Sequence, residues 1–96
     1  MFVKVHELNG RKVVAICDED LIGKKFTDKN LQINVSETFY HGEKKTDEEV
    51  LKLMNDSPNL NLVGMRTIKL ALEGNIIKKG DILKIKKVPH AQVIEY

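Results

Sequence analysis

The sequence predicts an α+β fold: a mostly antiparallel sheet of about five strands, with two helices inserted between the third strand and the C-terminal strands. Three observations carry the prediction. Asn9-Gly10 separates two alternating apolar runs, Thr46 to Glu49 carries a helix-start signature, and β-branched runs recur after Gly80. With 96 residues the chain supports one domain, because a second core would leave each half too short to bury enough apolar surface.

Asn-Gly favours a type I′ turn, which requires positive φ at both central residues, so residues 2 to 8 and 11 to 17 form a two-residue hairpin. The turn fixes the register and sets Val5 opposite Val14, Val3 opposite Ile16 and Glu7 opposite Lys12. One face then holds Val3, Val5, Val14 and Ile16. The other mixes Phe2, Lys4 and His6 with Cys17, Ala15 and Val13, a pattern expected under partial cover by a second layer. Asp18 to Lys25 reads as one helical turn, with Asp18 as its cap and Gly23 free to adopt the left-handed conformation. Leu31, Ile33 and Val35 alternate with polar residues, which predicts a half-buried third strand pairing with the hairpin.

Thr46-Asp47-Glu48-Glu49 is a capping box, and Val50, Leu51 and Met54 follow at helical spacing, so a helix runs from Asp47 to about Asn55 and ends before Pro58. Asn61 is the expected cap of a second helix reaching Glu73, with Leu62, Met65, Ile68, Lys69 and Leu72 along one stripe, the Lys69 stem snorkelling out of it, and Gly74 or Asn75 as its stop. Ile76-Ile77 and Ile82 to Ile85 are expected as strands around a Gly80-Asp81 turn, with a short bridge as the alternative for Ile76-Ile77. Val88 to Ile94 is the last strand, with Pro89 at an edge or bend because it lacks a ladder donor. No internal repeat or low-complexity tract interrupts the chain, and only Tyr40 to Lys45 has linker character.

Hydrophobic residues make up 42% of the chain and charged residues 31%, which suits a folded domain. Cys17 is the single cysteine, so an intramolecular disulfide and a four-cysteine zinc site are both excluded, and a reducing, cytoplasmic setting is expected. No stretch approaches the ~18 apolar residues of a membrane span, so no membrane partner is expected. The net charge is only +2 but is unevenly placed: residues 37 to 57 balance to −3 and residues 76 to 96 to +3.

Candidate chemistry is sparse. His6, His41, His90 and Cys17 match no metal-ligand spacing, so no metal and no cofactor are expected. Cys17 precedes Asp18, Glu19 and Asp20, whose charge disfavours a thiolate, and reads as a small buried hydrophobe. The six glycines are scattered singly and build no phosphate loop. Pro89-His90-Ala91-Gln92 is the first candidate surface, because His90 and Gln92 point the same way from a strand; both residues would equally suit a solvated face. The second is the lysine set, Lys84 and Lys86 on one strand face with Lys78, Lys79 and Lys87 nearby. Such a stripe suits phosphate contacts without sequence readout, although lysines also protect edge strands from aggregation.

Cys17 to Lys24, Asn61-Leu62-Val63-Gly64 and Val88 to Val93 together resemble the archaeal domain of unknown function family 424, and the likeness covers nearly the whole chain. In that family a glycine often precedes the Val-Pro, where this chain has Lys87. The resemblance implies an archaeal, cytoplasmic, single-domain α+β protein and no particular activity. It also marks Gly64 as a close packing contact at the start of the second helix, and Pro89 to Gln92 as a surface to test. Two function classes follow. The first is a non-catalytic module binding RNA or a ribonucleoprotein through Lys84, Lys86 and Lys87; the second is a protein-interaction or regulatory subunit using the acidic helix at Glu48 and Glu49. An enzyme using His90 ranks below both, since general acid-base work needs a partner group within reach.

Overall fold

Asn9 and Gly10 take φ of 53° and 79°, the geometry a type I′ turn demands. Strands β1 (Phe2–Leu8) and β2 (Arg11–Cys17) therefore pair in the expected register, with Val5 opposite Val14 and Val3 opposite Ile16. The computed structural model describes residues 1–95, with Leu8 described by its backbone alone. The remaining elements are β3 (Lys25–Asp28), β4 (Leu31–Asn34), a single turn α1 (Glu37–Tyr40), β5 (Glu43–Lys44), α2 (Asp47–Asp56), β6 (Leu60–Val63), α3 (Met65–Glu73), β7 (Leu83–Ile85) and β8 (Val88–Val93).

Six strands form one sheet in the order β5-β1-β2-β6-β8-β7. All neighbours are antiparallel except β2 and β6, which pair in parallel with Val14 opposite Leu60. A parallel pair needs a crossover, and the chain from β3 to α2 supplies it. Val3, Val14, Ile16, Leu60 and Leu62 on one face pack against Val50 and Met54 of α2 and Ile68 and Ala71 of α3. Ala15, Cys17, Val63 and Ile85 on the other face are covered by Ile33, Val35 and Tyr40, so the mixed face of the N-terminal hairpin does carry a second layer. Val5 departs from its expected burial: it is 51% exposed where β1 runs past the two-residue β5 and becomes the sheet edge.

Local signals and tertiary context disagree at several places. β4 pairs with β3 in a separate two-stranded ribbon, and not with the N-terminal hairpin, because Phe26 and Ile33 face each other to form the cover of the second core. Asn61 does not cap a helix: residues 60 to 63 are the strand inserted between β2 and β8, and α3 begins only at Met65. Ile76-Ile77 is not a strand, and Lys79–Asp81 forms a 3-10 turn. The true reversal is Lys86-Lys87, with φ of 51° and 68°. Three other local signals hold. The Thr46/Glu49 capping box is formed, Gly23 has φ of 83°, and Asn75 ends α3 with φ of 57°. No helix among the described residues is long and apolar enough to cross a membrane.

Pro89 sits in an interior strand, contrary to the expected edge, and the ladder explains why it is tolerated. Its carbonyl accepts from the Gly64 amide at 2.9 Å, so its nitrogen also faces Gly64. The Gly64 carbonyl, the acceptor an amide there would use, already accepts from Ile68 in the first turn of α3. The missing donor thus leaves nothing unpaired.

Candidate functional site

The site is set by how α3 starts. Gly64 adopts φ 114° and ψ 155°, a conformation that an L side chain rarely takes, and the chain passes there directly from strand to helix. Gly64 supplies no capping side chain. The buried Asp18 carboxylate does so from the end of β2, accepting from the Arg66 amide at 3.0 Å and from the Thr67 amide and hydroxyl at 2.8 Å each. Asp18 was expected to cap its own turn, and no such bond forms. Negative charge at a helix N-terminus satisfies orphan amides and opposes the macrodipole, and here the cap comes from 48 residues away.

This anchor rotates α3 relative to the expected stripe. Thr67, Ile68 and Ala71 point into the core and Leu72 packs half-buried against it, whereas Met65 is 72% exposed and Lys69 turns outward. Between that outer face and the β7-β8 hairpin lies a groove of about 700 Å³. Met65, Ile68, Leu72, Ile82 and Pro89 form its apolar floor. Lys69 comes from α3, Lys79 from the 3-10 turn, Lys84 from β7 and Lys87 from the hairpin turn; Glu73 is the one acid among its lining residues. A second cleft of about 600 Å³ shares Met65, Lys87 and Pro89 with the groove and reaches Asp18 and Arg66.

Among the described residues, no ion pair involves Lys69, Lys79, Lys84, Lys86 or Lys87. By contrast, Lys44 pairs with Glu19 at 3.3 Å, Lys45 with Glu43 at 3.2 Å and Arg66 with Asp47 at 3.5 Å. Lys86 and Lys87 occupy the left-handed region, where a residue with a Cβ is disfavoured by about 1 kcal/mol relative to glycine. That conformation also accounts for a glycine suiting the position before Val88.

The structure splits the residues singled out in the sequence. Pro89, Lys84 and Lys87 line the groove, and Lys86 lies beside it in the turn and lines the second cleft. Lys84 and Lys86 do not share a strand face, since Lys86 belongs to the reversal. His90 and Gln92 lie on the opposite face of the sheet, where their cross-strand partners in β6 are Val63 and Asn61. His90 Nε2 donates to Asn61 Oδ1 at 3.0 Å, and the Tyr40 hydroxyl donates to the same oxygen at 2.7 Å. Burial holds the His90 pKa below the ordinary imidazole value and raises the Tyr40 hydroxyl, so both are neutral near pH 7. His90 lines neither the groove nor the second cleft.

Cys17 is fully buried, and burial, then the neighbouring Asp18 charge, push its thiol up to about 12. His6 stacks on Phe39 with ring centroids 4.4 Å apart, and His41 meets Phe2 edge-on at 4.7 Å. Among the described residues, no group of three or more His, Cys, Asp or Glu side chains is placed to hold a metal ion.

Met65, Lys69 and Leu72 share helical spacing with Ile68, so periodicity alone does not separate the groove wall from the inward face of α3. The alternative spacing of Gly64, Thr67, Ile68 and Ala71 was equally present in the chain. It becomes the inward one only because Asp18 fixes where the helix begins.

A crystal structure of an uncharacterized conserved protein from Methanopyrus kandleri has the same fold. The TM-score is 0.76, covering 99% of this chain and 93% of that one at 20% identity. No curated protein matches the sequence. Residues 6–96 match the family described as protein of unknown function, DUF424. The shared fold and this match over nearly the whole chain place the protein in the DUF424 family.

Proposed function

We propose that this protein is a non-catalytic binding module whose working surface is the groove between α3 and the β7-β8 hairpin. The groove takes an anionic macromolecule, with charge of the kind that an RNA strand or the acidic face of a ribonucleoprotein presents. One observation carries the reading: four lysines from four separate segments rim one apolar groove and have no ion-pair partner among the described residues. Edge protection would account for Lys84 on β7 but not for Lys69 on α3 or Lys79 in its turn. The setting that fits a family of this kind, and a single buried thiol, is an archaeal cytoplasm.

The acidic helix α2 is a weaker candidate surface. Glu49 is held in the capping box and Asp47 is paired with Arg66, so their charges already serve the fold.

Binding of a single-stranded RNA oligonucleotide, followed by fluorescence anisotropy across a salt series, tests the charge component. Four lysine-phosphate contacts predict that log K falls against log salt with a slope of about −3. The double variant Lys84→Glu, Lys87→Glu should flatten that slope by about 1.4 or more, since two contacts are removed. If neither RNA nor poly-glutamate binds at low salt, the reading fails.

A second variant separates binding from stability. Lys87→Gly relieves the left-handed strain and is expected to stabilise the fold by about 1 kcal/mol, while weakening anion binding through the lost charge. Chemical denaturation and the same anisotropy titration report the two effects. A variant that gains stability and keeps full affinity would remove Lys87 from the site.

A further inference from the structure

We infer that the occupant of the groove is an amphipathic acidic helix of a partner protein, laid with its apolar side on the floor and its carboxylates against the lysine rim. The inference rests on the anion-binding reading and adds the class of partner. Two features select a peptide over a nucleic acid strand. The floor is aliphatic: Met65, Ile68, Leu72, Ile82 and Pro89 offer no aromatic ring on which a base can stack, and among the described residues no aromatic side chain lines the groove. The aromatic contacts of this protein, Phe2 with His41 and Phe39 with His6 and Tyr40, lie on the other face of the sheet.

The second feature is the exposed thioether. Met65 is 72% exposed at the junction of the groove and the second cleft, and an unbranched, polarizable side chain adapts to varied apolar partners. From Met65 to Leu72 the wall runs two helical turns, about 10 Å, which matches anchors spaced i, i+3, i+4 and i+7 on a docked helix. Lys69, Lys79, Lys84 and Lys87 then face the flanks of that helix, where alternating glutamates complement them, and Glu73 is the one lining residue that opposes an acidic partner. A phosphate backbone satisfies the lysines but leaves the apolar floor in contact with water, whereas an amphipathic helix satisfies both.

The test uses the full chain and three probes of similar net charge. They are a glutamate-rich peptide with leucines at i, i+3, i+4 and i+7, a scrambled peptide of identical composition, and a single-stranded oligouridylate. The amphipathic peptide is expected to bind about tenfold tighter than its scramble, and Met65→Ser should remove most of that margin. Met65 is exposed, so this substitution leaves the core intact. Equal affinity for the two peptides, or a margin that Met65→Ser does not change, overturns the inference while the anion-binding reading stands. Binding of oligouridylate alone does the same and assigns the groove to RNA. No binding by any probe overturns both.

Discussion

Gly64→Ala is expected to destabilise the protein by about 4 kcal/mol, enough to leave a small domain largely unfolded at moderate temperature. Two effects combine. The backbone at φ 114° excludes an ordinary side chain, and that strain alone accounts for about 1 to 3 kcal/mol. A Cβ there would also lie 2.3 Å from Asp18 Cγ and 2.5 and 2.6 Å from its oxygens. The carboxylate cannot simply swing aside, because it is tied to the Arg66 amide and to the amide and hydroxyl of Thr67. Urea denaturation of the variant measures the loss. A change below about 1 kcal/mol would show that the strand-to-helix junction is looser than this packing implies.

Asp18→Ala removes the same anchor from the other side, and the expected loss is about 3 kcal/mol. The Thr67 amide and hydroxyl lose their acceptor inside the buried junction, and the Arg66 amide loses its own beside the second cleft. A buried donor left unpaired costs about 1 to 3 kcal/mol, reduced wherever water can enter. Because Asp18 also joins the end of β2 to α3, the loss should be accompanied by faster amide exchange at Arg66 and Thr67. The two substitutions should not add. With the carboxylate gone, Gly64→Ala retains only its backbone strain, so a double-mutant cycle is expected to give a coupling of about 1 kcal/mol or more. A coupling near zero would separate Gly64 from Asp18 and leave the close approach without energetic weight.

What could be read from the sequence is what short-range chemistry dictates. Asn9-Gly10 specifies its turn by the φ values it alone tolerates cheaply, and the Thr46/Glu49 box is complete within four residues. What could not be read depends on partners distant in the chain. Asn61 has the side chain of a helix cap, but Leu60, Leu62 and Val63 are more stabilised as the strand that fills the sheet between β2 and β8. Asp18 looks like the cap of the turn that follows it and instead caps α3. Lys86-Lys87 has no turn-forming composition, and the reversal there is imposed by the pairing of Leu83 with His90 and Ile85 with Val88. The same limits apply to the candidate surface. Lysine density near the C-terminus was visible in the chain, but the groove was not, because its other wall is the outer face of α3 and that face is set by Asp18.

The claim that the groove is the working surface is tested most directly by mapping backbone amide shifts of 15N-labelled protein during titration with a single-stranded oligonucleotide or an acidic peptide at low salt. Shifts confined to residues 65–73 and 79–88, with Asn61, His90 and Gln92 unmoved, are the predicted result. Shifts centred on the Tyr40, Asn61 and His90 cluster, with α3 and the Lys86-Lys87 turn silent, would contradict it.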